Sequence, residues 1–248
     1  MSETGPNGSL ADQAYYRIRE KILKGILPFG APLSRRKLAA QLGMSFVPVS
    51  EALKRLEGDS LVESRPRVGT RVRIPNAQDI RGHYVVREAL ESQAARLFAL
   101  KASPDEREEL KRMAGEVDGL FGHCVPAGFD PDYLYKVHLY HHRLHMRIAE
   151  CTGCRALCEA VEKNQILILN WLYDTASGPR SLPETWHGRL MEVVAGSDPI
   201  EADEVMREHV RYGMDEVLRR LENTVSGWDG ADVDALQTRA KTVKFGRM

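Results

Sequence analysis

Apolar positions between residues 34 and 74 change period part-way along. Leu38, Ala39 and Leu42 form a helical stripe behind Ser34, an N-cap residue type, and Gly43 follows where a helix end favours a left-handed residue. Val49, Ala52, Leu53 and Leu56 repeat that period behind Ser45, with Pro48 in the first turn and Gly58 near the end. Further on the period falls to two, as Val72 and Ile74 alternate with Arg71 and Arg73 beyond a turn tipped by Gly69. The pattern predicts a short helix, a Gly turn, a Ser-capped helix, and two strands joined by a Gly-tipped turn. That order is a winged helix-turn-helix. Its Ser45-capped helix is held from behind by the apolar face and leaves Phe46, Val47, Ser50 and Lys54 looking outward. A helix so presented reads base edges in the major groove.

After Pro75 the period is helical throughout. Helices are predicted near 77–101, 104–122, 131–151, 155–176, 182–196 and 198–223. Pro104, Pro131, Pro183 and Pro199 stand at or next to their starts, and Gly153 and Gly178 near ends. Strand signals are missing, so this part is expected to be an antiparallel all-helical bundle. The fold class is therefore mainly α, in two domains, which suits 248 residues. Residues 1–9 read as a flexible end, 10–75 as the winged domain and 76–223 as the helical one. Residues 224–248 form a tail, with a short helix near 231–241 or disorder.

Charge separates the two parts. The chain is formally neutral, yet residues 1–75 hold 13 Lys/Arg against 7 Asp/Glu, and the rest 22 against 28. A duplex is drawn to such a basic head. Arg35, Arg36 and Lys37 occupy a first helical turn, where cations oppose the macrodipole and a bound phosphate would relieve them. With Ser45, Phe46, Val47, Ser50 and Lys54, and with Arg67, Gly69 and Arg71 of the wing, they make the expected contact set for double-stranded DNA. No apolar run is long enough to span a bilayer, and no signal-peptide pattern stands near Met1, so a cytoplasmic location and no membrane partner are expected. Four cysteines argue against a disulfide framework. Cys151, Cys154 and Cys158 have a spacing that zinc can use, but they lack a nearby fourth ligand and are read as reduced thiols.

Six of the eight histidines fall in three predicted helices. His138, His141, His142 and His145 share one, and the i, i+4 spacing puts His141 and His145 on one face, able to chelate one ion. His187 and His209 lie 22 residues apart on the last two helices, where they could face each other across a bundle. Imidazoles from facing helices suit zinc, nickel, copper or iron.

Residues 10–75 resemble the DNA-binding domain of the GntR family of bacterial transcription regulators, in the pattern L-x-x-x-x-LA-x-x-LG-x-S-x-x-PV-x-x-AL-x-x-L-x-x-x-x-LV. Arg36 matches a family arginine. Phe46 and Ser50 stand where many members carry arginine, the commonest bidentate reader of guanine, which implies a different operator. Residues 77–222 are similar to the FCD ligand-binding domain of the FadR branch: VVREALESQAAR places Arg87 and Glu91, and LHMRIAECTGCRAL places His145. His187 lies 11 residues before Asp198 and His209 11 after it, as that domain spaces its other two histidines. The resemblance implies one divalent metal per chain, zinc or nickel, held by His145, His187, His209 and His141, the last standing where the family has an aspartate. It also implies a small carboxylate effector. Arg87 is either its second anchor or a salt-bridge partner of Glu88 or Glu91 along its own helix, and His138 and His142 remain candidates for supporting the ligands.

The function expected is that of a homodimeric repressor on an imperfect palindrome, with operator affinity controlled by an organic acid bound at the metal. Two other classes compete. A metalloenzyme would want a general base at fixed spacing, and no H-E-x-x-H, pair of E-x-x-H motifs or nucleotide-binding Gly loop is present. A DNA-binding dimer with a purely structural metal differs in giving no response to a ligand screen.

Overall fold

The computed structural model describes residues 8–124, 130–166 and 182–225. The expected loose end through residue 7, the second part of the helix expected at 155–176, and the tail from 226 on lie outside these residues.

Helix α1, Leu10–Leu23, opens on a reciprocal capping box between Ser9 and Asp12, a sequence signal not used above. It buries Ala14, Ile18 and Ile22 and packs on α3. Helix α2, Arg35–Leu42, is capped by Ser34 and closes on Gly43 at φ 65°. Helix α3, Phe46–Gly58, buries Val49, Ala52, Leu53 and Leu56, as its period predicts. Each such Val or Leu contributes about 1.5–3 kcal/mol by leaving water. Strands β1 (Pro32–Leu33), β2 (Val62–Arg65) and β3 (Gly69–Val72) form an antiparallel sheet in the order β1-β3-β2. Strand β1 spans two residues, too few to show a period, and was not anticipated.

Residues 76–225 form a second compact unit, helical throughout its described residues. Its helices are α4 (Ala77–Lys101), α5 (Pro104–Cys124), α6 (Pro131–Cys151), α7 (Arg155–Ile166), α8 (Trp186–Val194) and α9 (Pro199–Val225). An Asn76–Asp79 capping box starts α4, which packs against α6, α7, α8 and α9, while α5 packs on α6 and α8. Most starts fall where the punctuation predicts. Helix α8 begins four residues later than expected because Thr185 adopts φ 54°, ψ 32°, which no right-handed helix can include. Among the described residues no helix is long and apolar enough to cross a membrane.

Candidate nucleic-acid interface and metal centre

The winged unit presents most of its expected contacts to solvent. Arg35, Arg36 and Lys37 are exposed at the start of α2, where Ser34 Oγ accepts the Lys37 N–H at 3.3 Å. Phe46 and Val47 open α3 at 55% and 62% exposure, and Lys54 is exposed one turn after Ser50. Large apolar side chains left this bare on a helix N-terminus are available for base or methyl contacts. At the wing tip Arg67 and Gly69 both have positive φ, 65° and 101°, and both are exposed.

Three expectations are corrected. Ser45 occupies the N-cap position of α3, but its side chain makes no cap hydrogen bond, so it does not cap. Ser50 does not look outward: it is half-buried and its Oγ is covered, because so short a side chain ends inside the rim of the apolar stripe. Arg71 is not a freely offered cation. It faces Glu63 in the β2–β3 register, and its Nε donates to that carboxylate.

In the helical unit four histidine rings converge. His141 and His145 stand one turn apart on α6, His187 is the second residue of α8, and His209 comes from the middle of α9. All four are at least 93% buried. The ligand nitrogens of His141, His145 and His209 lie within 4.8 Å of one another, and the Nε2 atoms of His141 and His145 are 2.9 Å apart. His187 stands just outside that tight group, its ring centre 4.6 Å from that of His141 and 5.3 Å from that of His209. Burial, and then the neighbouring rings and Arg87, hold His141 well below its ordinary value, so it is neutral and can donate a lone pair.

Two carboxylates stand behind these rings. Glu91 of α4 approaches His145 Nδ1 at 2.8 Å, and Asp118 of α5 binds His187 Nδ1 at 2.7 Å. Burial raises the Glu91 carboxyl, but the charge of Arg87 and the contacts with His145 and Arg87 outweigh it and the group is held low, hence ionised. The His187 ring, hydrogen-bonded to an acceptor carboxylate, carries its proton on Nδ1 and leaves Nε2 for a cation, while Glu91 stands beside His145 as a charge contact. Donor set and burial fit a divalent metal ion of the kind that imidazoles hold.

Arg87 is 5% exposed, and its Nε donates to Glu91 Oε1 at 2.8 Å. Of the two partners considered along its own helix, Glu91 is the one taken. Glu88 instead joins Arg207 and Arg211 of α9. His138 is buried edge-on to Phe121, and His142 is half-buried; neither belongs to the tight group. Cys151, Cys154 and Cys158 are free, and burial, with Glu106 and Glu109 adding, pushes the Cys151 thiol up to about 12. Such a thiol is a poor thiolate ligand. Sequence reasoning missed Asp118, 69 residues from its partner, for which no local signal exists. It also missed Trp186, which stacks on His209 at 5.5 Å and adjoins His187.

Residues 10–72 match the gntR family of bacterial regulatory proteins, and residues 83–212 match the FCD domain. A protein of Paenarthrobacter nicotinovorans named "Probable D-xylose utilization operon transcriptional repressor" is 31% identical over 204 residues, covering 82% of this chain and 86% of its own length. The HTH-type transcriptional repressor RspR of Escherichia coli K12 is 22% identical over 233 residues, 92% of this chain and 96% of that one. Among solved structures, E. coli McbR/YncC has a TM-score of 0.68 at 20% identity, covering 86% of this chain and 99% of its own. The chain belongs to the gntR family of bacterial regulatory proteins and carries an FCD domain: it is a transcription regulator.

Proposed function

We propose that this regulator is a cytoplasmic, homodimeric repressor whose hold on an imperfectly palindromic operator is set by a small carboxylate bound at a divalent metal in the helical domain. Residues 10–75 are assigned to DNA binding and 76–223 to sensing and dimerisation. The observation that carries the sensing half is the convergence of buried histidines with carboxylates behind two of them. Repression is what the names of the P. nicotinovorans and E. coli relatives give as their role. A divalent ion held there would act as a Lewis acid that attracts an anion. His141, His145, His187 and His209 would hold it, Glu91 and Asp118 would orient two of the rings, and Arg87 would add positive charge beside them. On the DNA side Phe46 and Val47 would read bases, while Arg35, Arg36, Lys37, Ser45, Lys54 and Arg67 would fix the register on phosphates.

Metal analysis of purified protein tests the centre. About one zinc or nickel per chain is expected, removable by chelator, and His145→Ala, His187→Ala and His209→Ala should each lower occupancy strongly. Full occupancy in the His187→Ala/His209→Ala double variant would reject the site. Unchanged occupancy in His141→Ala would show that the fourth position belongs to water.

A further inference from the structure

The histidines of the cluster are not all held alike. His145 is backed by Glu91, whose charge is already met by Arg87. His187 is backed by Asp118, which reaches across from α5 and makes three hydrogen bonds to the start of α8. Its Oδ1 accepts from the His187 backbone N–H at 2.9 Å and from the His187 ring Nδ1 at 2.7 Å, and its Oδ2 accepts from the Gly188 N–H at 2.8 Å.

Helix α8 needs that acceptor. Its N-cap residue, Thr185, lies in the left-handed region and makes no side-chain cap bond. A β-branched residue there is strained, and the strain persists only where surrounding structure holds it. The first-turn N–H groups would otherwise lack partners. Asp118 therefore caps α8 from another helix and sets a negative charge at the positive end of its dipole. Both Asp118 oxygens accept backbone N–H groups, Oδ1 from His187 and Oδ2 from Gly188, so the carboxylate is placed as an acceptor and the ring 2.7 Å from Oδ1 is the donor, which puts the ring proton on Nδ1 and the lone pair on the buried Nε2.

We propose that Asp118 is the positioning residue of this centre: it fixes His187 as the Nδ1–H tautomer, with Nε2 offered to the cation, and ties that ring to the start of α8. The proposal rests on the metal reading above and assigns the hold on one ligand to a residue on a helix that contributes no ligand. Because His141 brings no charge of its own, Asp118 is also the negative charge in contact with the His187 ring. Asparagine cannot replace it. If its oxygen keeps both His187 bonds, its amide faces the Gly188 N–H, donor against donor. If it turns over, the amide faces the ring and forces the proton onto Nε2, where it blocks a metal.

The test uses the full-length protein labelled with 15N, stripped of metal, and zinc as the probe. Imidazole nitrogen shifts should show His187 as the Nδ1–H tautomer in the wild type, and Asp118→Asn should shift it towards Nε2–H. Zinc affinity, measured by chelator competition, should fall about 10–100-fold in Asp118→Asn. In a His187→Ala background the same substitution should cost little further affinity, while any loss of melting temperature from the helix cap should persist. Wild-type His187 protonated on Nε2 would overturn the proposal without any variant having to fold. An equal loss of zinc affinity with and without His187 would reduce Asp118 to a structural cap and overturn it as well. Wild-type protein that takes up no zinc yet shows the Nδ1–H tautomer would instead overturn the metal reading, a failure distinct from that of Asp118's hold on the ring.

Discussion

Arg87, Glu91 and His145 form a short buried relay in which each group depends on the next. Glu91 is 2% exposed and holds one oxygen on Arg87 and the other beside His145. Removing the guanidinium would leave that carboxylate buried without its counter-charge. Arg87→Ala should therefore destabilise the helical unit by about 3–5 kcal/mol in a denaturant titration and weaken zinc binding through His145. This departs from a role as effector anchor alone, under which metal content would stay normal. A variant with unchanged denaturation midpoint would show that water or another cation replaces Arg87. On the DNA side the residues divide by chemistry. Arg36→Ala should weaken binding to all duplexes alike and flatten the salt slope by about one unit, as loss of one phosphate contact does. Phe46→Ala should change which operator bases are preferred. Equal loss on specific and random duplexes for Phe46→Ala would remove it from base reading.

The elements were legible where a period and its punctuation agree. Helices α4, α5, α6 and α9 start at or within one residue of the prediction because Asn76 and three prolines mark them. Helix α8 was misplaced because its start is set by the strained Thr185 and by Asp118 on another helix, neither of which leaves a periodic trace. The histidine set was legible from spacing and family likeness, but its carboxylate supports lie 54 and 69 residues away, and only folding joins them. Helix α4 shows a further pattern that bears on assembly. Val86, Leu90, Gln93, Leu97 and Leu100 recur at intervals of four and three, a seam one residue wide that pairs helices. Val86 and Leu100 are 47% and 57% exposed, Val85 beside them is 67% exposed, and Leu90 and Leu97 are half-buried. If this seam joins the proposed homodimer, Leu97→Glu with Leu100→Glu should shift the protein from dimer to monomer by light scattering. The melting of each chain should change little. A double variant that stays dimeric would place the interface elsewhere.

At the scale of the whole molecule, the proposed sensing would act on DNA binding only through a difference in free energy between two arrangements, since a ligand shifts an equilibrium only by its differential affinity. The chain itself offers a short route. Strand β3 of the wing ends at Val72, α4 begins at Ala77, and the same helix carries Arg87 and Glu91 behind the histidine cluster. A carboxylate drawn to the cation would meet a site whose positive charge is backed by Arg87, and a shift of α4 would be felt within a few residues by the wing. The expected coupling is about 1–3 kcal/mol, or roughly 5–150-fold in operator affinity. Linkage supplies a strict check. Whatever factor a sugar acid or dicarboxylate applies to operator binding, the operator must apply to the affinity for that acid, both measured on the zinc-loaded protein at one salt concentration. Chelation of the metal should abolish the acid's effect on operator binding, and readdition of zinc should restore it. An acid that raises the melting temperature of the loaded protein while leaving operator affinity unchanged would make the centre a structural one. An acid that acts equally with the metal removed would place the effector site away from the histidines altogether.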